Sequence, residues 1–259
     1  MPRFFVPGGA AVGETVLIRG DDARHIGLSL RMRVGDELTV CGSDGKAAFC
    51  LLKSITPELV EAECVRVGEP FVGEPPYFAV LYQAVVKGDK FDSIVQKAVE
   101  TGVGAIVPVL CDRSVSRPDD KAFGKKLERW NRIAKEASGQ CGRAVCPAIL
   151  GPLTFDEAVG RVGSDLNTEQ NGKSGFTFIC CLAEGTVPLS DLILGEKNVG
   201  KGNGTVSFFI GPEGGFSERE TALASRNGIL PVSLGDRVLR TETASSFVLA
   251  WLSLAFENR

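Results

Sequence analysis

The sequence contains a single histidine, His25, and no run of 18 consecutive apolar residues among its 259 positions. One histidine excludes metal sites built from several imidazoles and most Ser-His-Asp triads. Without a long apolar run, the sequence predicts no membrane-spanning helix. The amino-terminal residues 1–7 are too short and interrupted for the apolar stretch of a signal peptide. The composition, 44% hydrophobic and 24% charged, instead predicts an ordinary globular protein.

The eight cysteines form no recognisable metal-binding or disulfide pattern. Cys141 and Cys146 lie five residues apart without a second pair, which is not zinc spacing, and Cys180 and Cys181 are adjacent in an apolar run. A chain of this length can bury a sufficient core without disulfides. We therefore expect reduced cysteines that pack as small core residues, no metal, and a cytoplasmic location, with an organelle as the alternative for a processed chain.

The net charge of −3 argues against a protein that coats nucleic acid with a uniformly basic surface. One segment departs from this balance, because residues 113–143 contain nine Lys and Arg against four Asp and Glu. Such a segment is either the solvated face of an amphipathic helix or a local RNA-binding track. The residues alone leave both interpretations open.

Hydrophobic patterning predicts two domains. Residues 1–72 contain short apolar runs separated by turns, which favours a small β-barrel or sandwich with one helical piece at residues 21–30. Residues 68–76 are rich in Pro and Gly and mark the boundary. Residues 73–259 alternate strands and helices, as expected for an α/β domain with a mainly parallel sheet. The polar stretches 163–175 and 195–204 are expected to be surface loops.

Three strand ends in the second domain carry the candidate site. A buried strand at 205–210 runs into the sequence GPEGG at residues 211–215, and a capping box at 217–220 begins the next helix. A second strand runs into residues 234–240, followed by a helix that Thr241 can cap and whose first turn contains Glu242. A third strand ends at Leu182. Loops at the carboxyl ends of parallel strands are where open α/β sheets bind ligands.

Each of these features also has a purely structural interpretation. The GPEGG segment, hereafter the GPEGG turn, can be no more than a tight strand-to-helix connection, since glycine suits such turns. Arg240 and Glu242 can form a local ion pair of little energetic value. Three such loops at strand ends favour a ligand-binding pocket over these structural interpretations.

The chain resembles the RsmE family of ribosomal small-subunit RNA methyltransferases, which belong to the SPOUT class. The resemblance covers nearly the whole sequence, and its most specific pieces are the GPEGG turn and LRTETA at residues 239–244. It also includes PRFF at residues 2–5, His25, and ETGV at residues 100–103. It implies an α/β fold class in which an N-terminal PUA-like β-barrel (1–72) precedes a C-terminal SPOUT domain with a trefoil knot (73–259).

The resemblance further implies S-adenosylmethionine as cofactor and N3 of a uridine in 16S-type ribosomal RNA, naked or in the assembled small subunit, as target. It implies a homodimer through the C-terminal domain, with helix 243–254 in the interface. The implied cofactor site comprises Leu182, Ala183, Glu184, Gly211, Pro212, Glu213, Gly214, Gly215, Leu234, Gly235, Leu239 and Arg240. The RNA candidates are Arg3, Arg24, His25, Arg31, Arg113, Arg129 and Arg143.

Methylation at uridine N3 requires loss of the N3 proton. An arginine near the uracil oxygens would stabilise the resulting anion, and a carboxylate could accept the proton. Arg240 and Glu242 are the catalytic candidates. The rival hypotheses are a sister SPOUT enzyme acting on ribose O2′ or on guanine, and a non-catalytic RNA-binding module.

Overall fold

The computed structural model describes residues 1–70, 73–167, 175–183, 185–195 and 204–257. Contacts divide the chain into two compact units, one comprising Met1–Glu74 with Lys135–Cys146 and the other comprising Pro75–Ala134 with Pro147–Arg259. No helix in the described part is both long and apolar enough to cross a membrane.

The first unit contains a five-stranded sheet in the order β1-β3-β4-β5-β2. Alternation along β2, where Val16 and Ile18 are buried and their neighbours exposed, places one face of the sheet on the core. All strand pairs are antiparallel except β1 with β3. The elements are β1 (Arg3–Phe5), β2 (Thr15–Arg19), α1 (Asp21–Arg24) continued by a π-helical turn (His25–Ser29), β3 (Glu37–Cys41), β4 (Lys46–Ile55) and β5 (Leu59–Pro70).

The second unit is built on an eight-stranded sheet whose pairs are all parallel. Its strands are β6 (Tyr77–Ala84), β7 (Ala105–Leu110), β8 (Ala148–Ile149), β9 (Leu153–Thr154), β10 (Gly175–Cys180), β11 (Val187–Pro188), β12 (Gly204–Ile210) and β13 (Leu230–Ser233). Their order is β11-β13-β10-β12-β6-β7-β8, and β9 pairs with β7. β12 is buried along nearly its whole length, as predicted for a strand covered on both faces.

The helices are α2 (Lys90–Glu100), α3 (Asp120–Cys141), α4 (Phe155–Asn167), α5 (Leu189–Gly195), α6 (Glu218–Arg226) and α7 (Thr241–Phe256). On α4, Phe155, Ala158, Val159 and Val162 recur at helical spacing and pack into the sheet core. The predicted loop 163–175 is therefore wrong at its start, because burial of this face extends the helix to Asn167. Residues 168–174 and 196–203 of the two predicted loops lie outside the described residues, and Gly175, Gly195 and Gly204 belong to β10, α5 and β12.

Four cysteines, Cys41, Cys50, Cys64 and Cys111, are buried in the two cores. Burial raises the pKa of the Cys50 thiol to about 12, and it also raises the pKa values of Cys41 and Cys111. Cys41, Cys50 and Cys111 therefore stay protonated at neutral pH and behave as small apolar residues. The prediction of core packing holds for four of the eight cysteines, since Cys141 is exposed and Cys146, Cys180 and Cys181 are only partly buried.

Candidate functional site

Parallel pairing brings three strand ends to the same edge of the second sheet. Cys180 at the end of β10 lies opposite Ile210 of β12 on one side and Val232 of β13 on the other. The segments that follow these strands therefore leave the sheet side by side. Together they enclose a cavity of about 980 Å³, a size typical of small-molecule sites.

Every described residue of the predicted cofactor site lines this cavity. They are Leu182, Ala183, Gly211, Pro212, Glu213, Gly214, Gly215, Leu234, Gly235, Leu239 and Arg240. Glu184 lies outside the described residues. Both catalytic candidates, Arg240 and Glu242, line the cavity too. The sequence thus predicted three loops that the fold brings together.

The GPEGG turn depends on its glycines. Gly215 has φ of +67°, a left-handed conformation that glycine adopts without strain, and its N–H donates to Pro212 O at 2.9 Å. A Cβ on Gly211 would lie 3.2 Å from the Phe216 ring, closer than ordinary contact. Glycine therefore lets this turn adopt its shape and pack on Phe216 while it lines the cavity.

A polar network anchors the far side of the turn. The predicted capping box is confirmed, since Ser217 Oγ accepts from Glu220 N and Ser217 N donates to Glu220. Ser217 Oγ also donates to Asp112 at 2.6 Å, and Arg219 bonds both Asp112 and Asp156. Hydrogen bonds from Arg219 and Ser217 lower the pKa of Asp112. The loop after β7 is thereby tied to the start of α6.

Two cations that reach the GPEGG turn come from other segments. Arg113 Nη1 donates to Gly214 O at 2.9 Å, and Lys90 Nζ lies 2.7 Å from Glu213 Oε1. The hydrogen bond from Lys90 lowers the pKa of Glu213. Both cations line the cavity. Lys90, the first residue of α2, was not a predicted site residue.

The first turn of α7 forms another wall. Arg240 is the N-cap residue and makes no side-chain capping bond. The predicted cap by Thr241 is wrong, because its hydroxyl donates instead to Gly211 O at 2.7 Å. Glu242 lies in the first helical turn, as predicted, and its Oε2 is buried with no hydrogen-bond partner among the described residues. No ion pair joins it to Arg240 within the same described ranges.

The RNA candidates are found in different environments. In the first unit, Arg24, His25 and Arg31 are exposed, and Arg31 has a left-handed φ of 52°. Arg3 is half-buried and donates to Arg143 O at 3.2 Å. In the second unit, Arg129 is half exposed and paired with Asp92.

Arg143 is a correction to the predicted RNA set. Its side chain is 6% exposed and forms an ion pair with Glu74, whose side chain is 10% exposed. A buried guanidinium in such a pair is unavailable to an RNA phosphate. The basic segment around Arg143 did not predict this ion pair, because Glu74 lies 69 residues away in the sequence.

Comparison with known proteins identifies the family. A family model described as an RNA methyltransferase domain matches residues 74–253, and a model described as an RNA methyltransferase PUA domain matches residues 18–63. Ribosomal RNA small subunit methyltransferase E of Bacillus subtilis (strain 168) is 31% identical over 243 residues, which cover 94% of this chain and 91% of the relative. The chain belongs to the RsmE family of ribosomal RNA small subunit methyltransferases.

Solved structures agree with this RsmE assignment. A ribosomal RNA small subunit methyltransferase E from Neisseria gonorrhoeae bound to S-adenosyl methionine has a TM-score of 0.84 at 31% identity, covering 99% of this chain and 98% of that one. A Legionella pneumophila methyltransferase in complex with the cofactor SAM has a TM-score of 0.83 at 31% identity, covering 98% and 97%. The predicted fold class, a PUA-like unit and a SPOUT-type α/β unit, is confirmed.

The cavity fits the cofactor of the RsmE family, S-adenosylmethionine. The cavity is lined mostly by apolar side chains, among them the exposed Leu182 and Val238, together with glycine backbone and several charged groups. The glycines of the GPEGG turn line the cavity, and Glu213 and Glu242 supply carboxylates. A ligand with an aromatic base and a cationic centre matches this mixture of groups.

Proposed function

We propose that this chain transfers a methyl group from S-adenosylmethionine to N3 of a uridine in small-subunit ribosomal RNA. One observation carries the proposal: the cavity formed by three strand-end loops has Arg240 and Glu242 in the same wall. The loops that follow β10 and β12 suit the cofactor. The first turn of α7 supplies the acid–base groups that the acceptor base needs.

When bound, S-adenosylmethionine supplies an electrophilic methyl group on a sulfonium. The chain's own task is then to bind the uracil, remove its N3 proton and hold the ring in line. A neutral imide nitrogen has no available lone pair, so proton removal is required.

Glu242 is suited to accept the N3 proton. Its Oε2 is buried and has no donor among the described residues, so nothing there competes for this oxygen. Arg240 is exposed and lines the same cavity, and its side chain has no ion-pair partner within the described ranges. Its guanidinium is therefore left to stabilise negative charge on the uracil oxygens.

Two exposed basic regions, one in each unit, are proposed to hold the RNA. In the first unit the region comprises Arg24, His25 and Arg31 with the half-buried Arg3. In the second unit it comprises Arg113 and Arg129. Because the net charge is −3, binding depends on these local patches. The target base must be unpaired or flipped, since N3 lies inside a Watson–Crick pair.

We also propose a C2 homodimer through the second unit. The closing helix α7 is rich in apolar residues, and not all of them are buried within one chain. Ala250 is exposed, and Leu254 is 63% exposed. Apolar exposure of this kind is typical of an interface between copies. Light scattering of the full chain at micromolar concentration is expected to give twice the chain mass. The buried thiols support a reducing compartment such as the cytoplasm.

The decisive experiment maps the modified nucleotide. The protein is incubated with labelled cofactor and either naked small-subunit RNA or assembled subunits, and the RNA is analysed by mass mapping. Methylation at uridine N3 is expected. A product on ribose O2′ or guanine would indicate a sister activity, and RNA binding without cofactor affinity would indicate a non-catalytic module.

The roles of Arg240 and Glu242 are tested by substitution. Arg240→Ala is expected to lower the single-turnover rate by about 10²–10³-fold, the usual loss for one charge-stabilising donor, with a normal Tm and a smaller change in cofactor Kd. Raising the pH is expected to rescue Glu242→Ala in part, because more uridine anion is then present. Arg226→Ala, a surface arginine of α6 bonded to Ala222 O, is the control. Parallel loss of rate, cofactor binding and stability in Arg240→Ala would contradict the catalytic role.

A further inference from the structure

Gln83 is a fully buried polar side chain at the carboxyl end of β6. It does not line the cavity. Its Nε2 donates to Ala84 O at 3.2 Å and to Thr241 Oγ1 at 3.0 Å. A buried amide is costly unless it is hydrogen-bonded, so its presence under the site calls for a physical reason.

The direction of these bonds is fixed by chemistry. An amide nitrogen only donates, so Thr241 Oγ1 accepts from Gln83. The hydroxyl of Thr241 has one proton, and the acceptor it reaches is Gly211 O at 2.7 Å. Gln83, Thr241 and the Gly211 carbonyl therefore form one directed chain, which we call the Gln83 relay.

The Gln83 relay joins the two halves of the proposed site. Gly211 is the first residue of the GPEGG turn, and Thr241 is the first residue of α7, between Arg240 and Glu242. In the described part of the chain, neither the Arg240 nor the Glu242 side chain makes a hydrogen bond. Thr241 is thus the side chain through which the first turn of α7 is bonded to the cofactor turn.

We propose that Gln83 and Thr241 are positioning residues for methyl transfer. They hold Arg240 and Glu242 at a fixed separation from the turn that binds the cofactor, so the acceptor base is activated in line with the methyl group. This inference rests on the proposed function. Alignment of reacting groups is steeply distance-dependent, and a misplacement of about 1 Å can cost on the order of 10²-fold in rate.

Thr241→Val is the central variant, because it keeps the side-chain shape and removes only the hydroxyl. Thr241→Ser restores the hydroxyl and should restore the relay. Gln83→Met removes the donor at the other end. Thr177→Val is the matched control, since Thr177 is also a buried threonine of the second sheet but does not line the cavity.

Tm, cofactor Kd and the single-turnover rate on small-subunit RNA are measured for each variant. We expect Thr241→Val to lower the rate by about 10- to 100-fold, with a Tm near that of Thr177→Val and a smaller change in cofactor Kd. Thr241→Ser is expected to return close to the wild-type rate. Because both residues act through one chain, the double variant Gln83→Met/Thr241→Val should be no slower than Thr241→Val alone.

Several results would overturn the inference. A wild-type rate in Thr241→Val, failure of Thr241→Ser to recover activity, or additive losses in the double variant would each do so. If Thr241→Val does not fold, Gln83→Met and Thr241→Ser still decide. Absence of uridine methylation by the wild-type protein would refute the proposed function instead, so the two failures are distinguishable.

Discussion

Arg143→Ala separates a structural arginine from an RNA-binding one. Glu74 accepts from Arg143 Nη2 at 2.6 Å and from Arg143 Nε at 3.1 Å, and its Oε1 also accepts from the backbone N–H groups of Ala144 and Val145 at 2.9 and 3.0 Å. With both side chains at least nine-tenths buried, the substitution leaves a carboxylate without its counter-charge. We therefore expect the first unit to lose stability.

The magnitude follows from the remaining partners. Breaking a buried ion pair by removing one member costs about 3–5 kcal/mol. The two backbone donors stay with Glu74, so the lower end, about 3 kcal/mol, applies. For a small domain this corresponds to a fall in Tm of roughly 12–24 °C. The double variant Arg143→Met/Glu74→Gln removes both charges, keeps an acceptor for the backbone, and should recover much of the loss.

Urea denaturation followed by circular dichroism, together with RNA binding at two salt concentrations, tests this expectation. Arg129→Ala is the control, because its pair with Asp92 leaves the arginine half exposed. That variant should change stability by only about 0–1 kcal/mol while lowering RNA affinity and reducing the salt slope by roughly 0.7. If Arg143→Ala unfolds at the wild-type midpoint yet loses RNA affinity, the structural role is refuted.

Two further predictions concern the GPEGG turn. Gly215→Val places a β-branched residue at φ of +67°, so the turn should change shape. The stabilisation of the fold by S-adenosylhomocysteine, about 2.7 kcal/mol at 100 times its Kd, should then disappear. Gly151→Val, at an open position, should retain this stabilisation, and retention by both variants would contradict a cofactor-binding turn. Lys90→Met removes the partner that lowers the pKa of Glu213 in the folded state. A lowered pKa stabilises the fold at pH values above 4.5, the pKa of the unfolded state, and this stabilisation is lost as the pH falls through the folded-state pKa. The stability difference between wild type and Lys90→Met should thus shrink as the pH falls through and below 4.5, the unfolded value. A difference independent of pH would count against the pair.

The strand-end loops were predictable because they depend on local patterns. A buried strand, a glycine turn and a capping box follow one another at 205–220, and parallel pairing then forces neighbouring loops to one edge. The helix that follows residues 234–240 was equally clear, because an apolar stretch follows Glu242, and it is present as α7.

Other features depend on contacts that no local pattern contains. α4 was not predicted, since Gly160 disfavours a helix, and it forms because Phe155 and Val159 are buried against the sheet. Thr241 has the residue type of a helix cap, yet its hydroxyl donates a hydrogen bond to Gly211 O, 30 residues away. The short strand β1 exists through parallel pairing with β3, which begins more than 30 residues later.

The first unit is assembled from two stretches of chain, Met1–Glu74 and Lys135–Cys146, and this has a consequence for biosynthesis. Arg3 donates to the backbone carbonyl of Arg143, 140 residues further along the chain. Glu74 pairs with the Arg143 side chain, 69 residues further along. The amino-terminal sheet therefore emerges from the ribosome well before the segment that completes it, at a translation rate of about 5–20 residues per second. During those seconds the Glu74 carboxylate has no Arg143 with which to pair. A gene fragment cut at the sequence boundary would leave both halves in that incomplete state, so fragments for expression should carry residues 135–146 with the amino-terminal sheet.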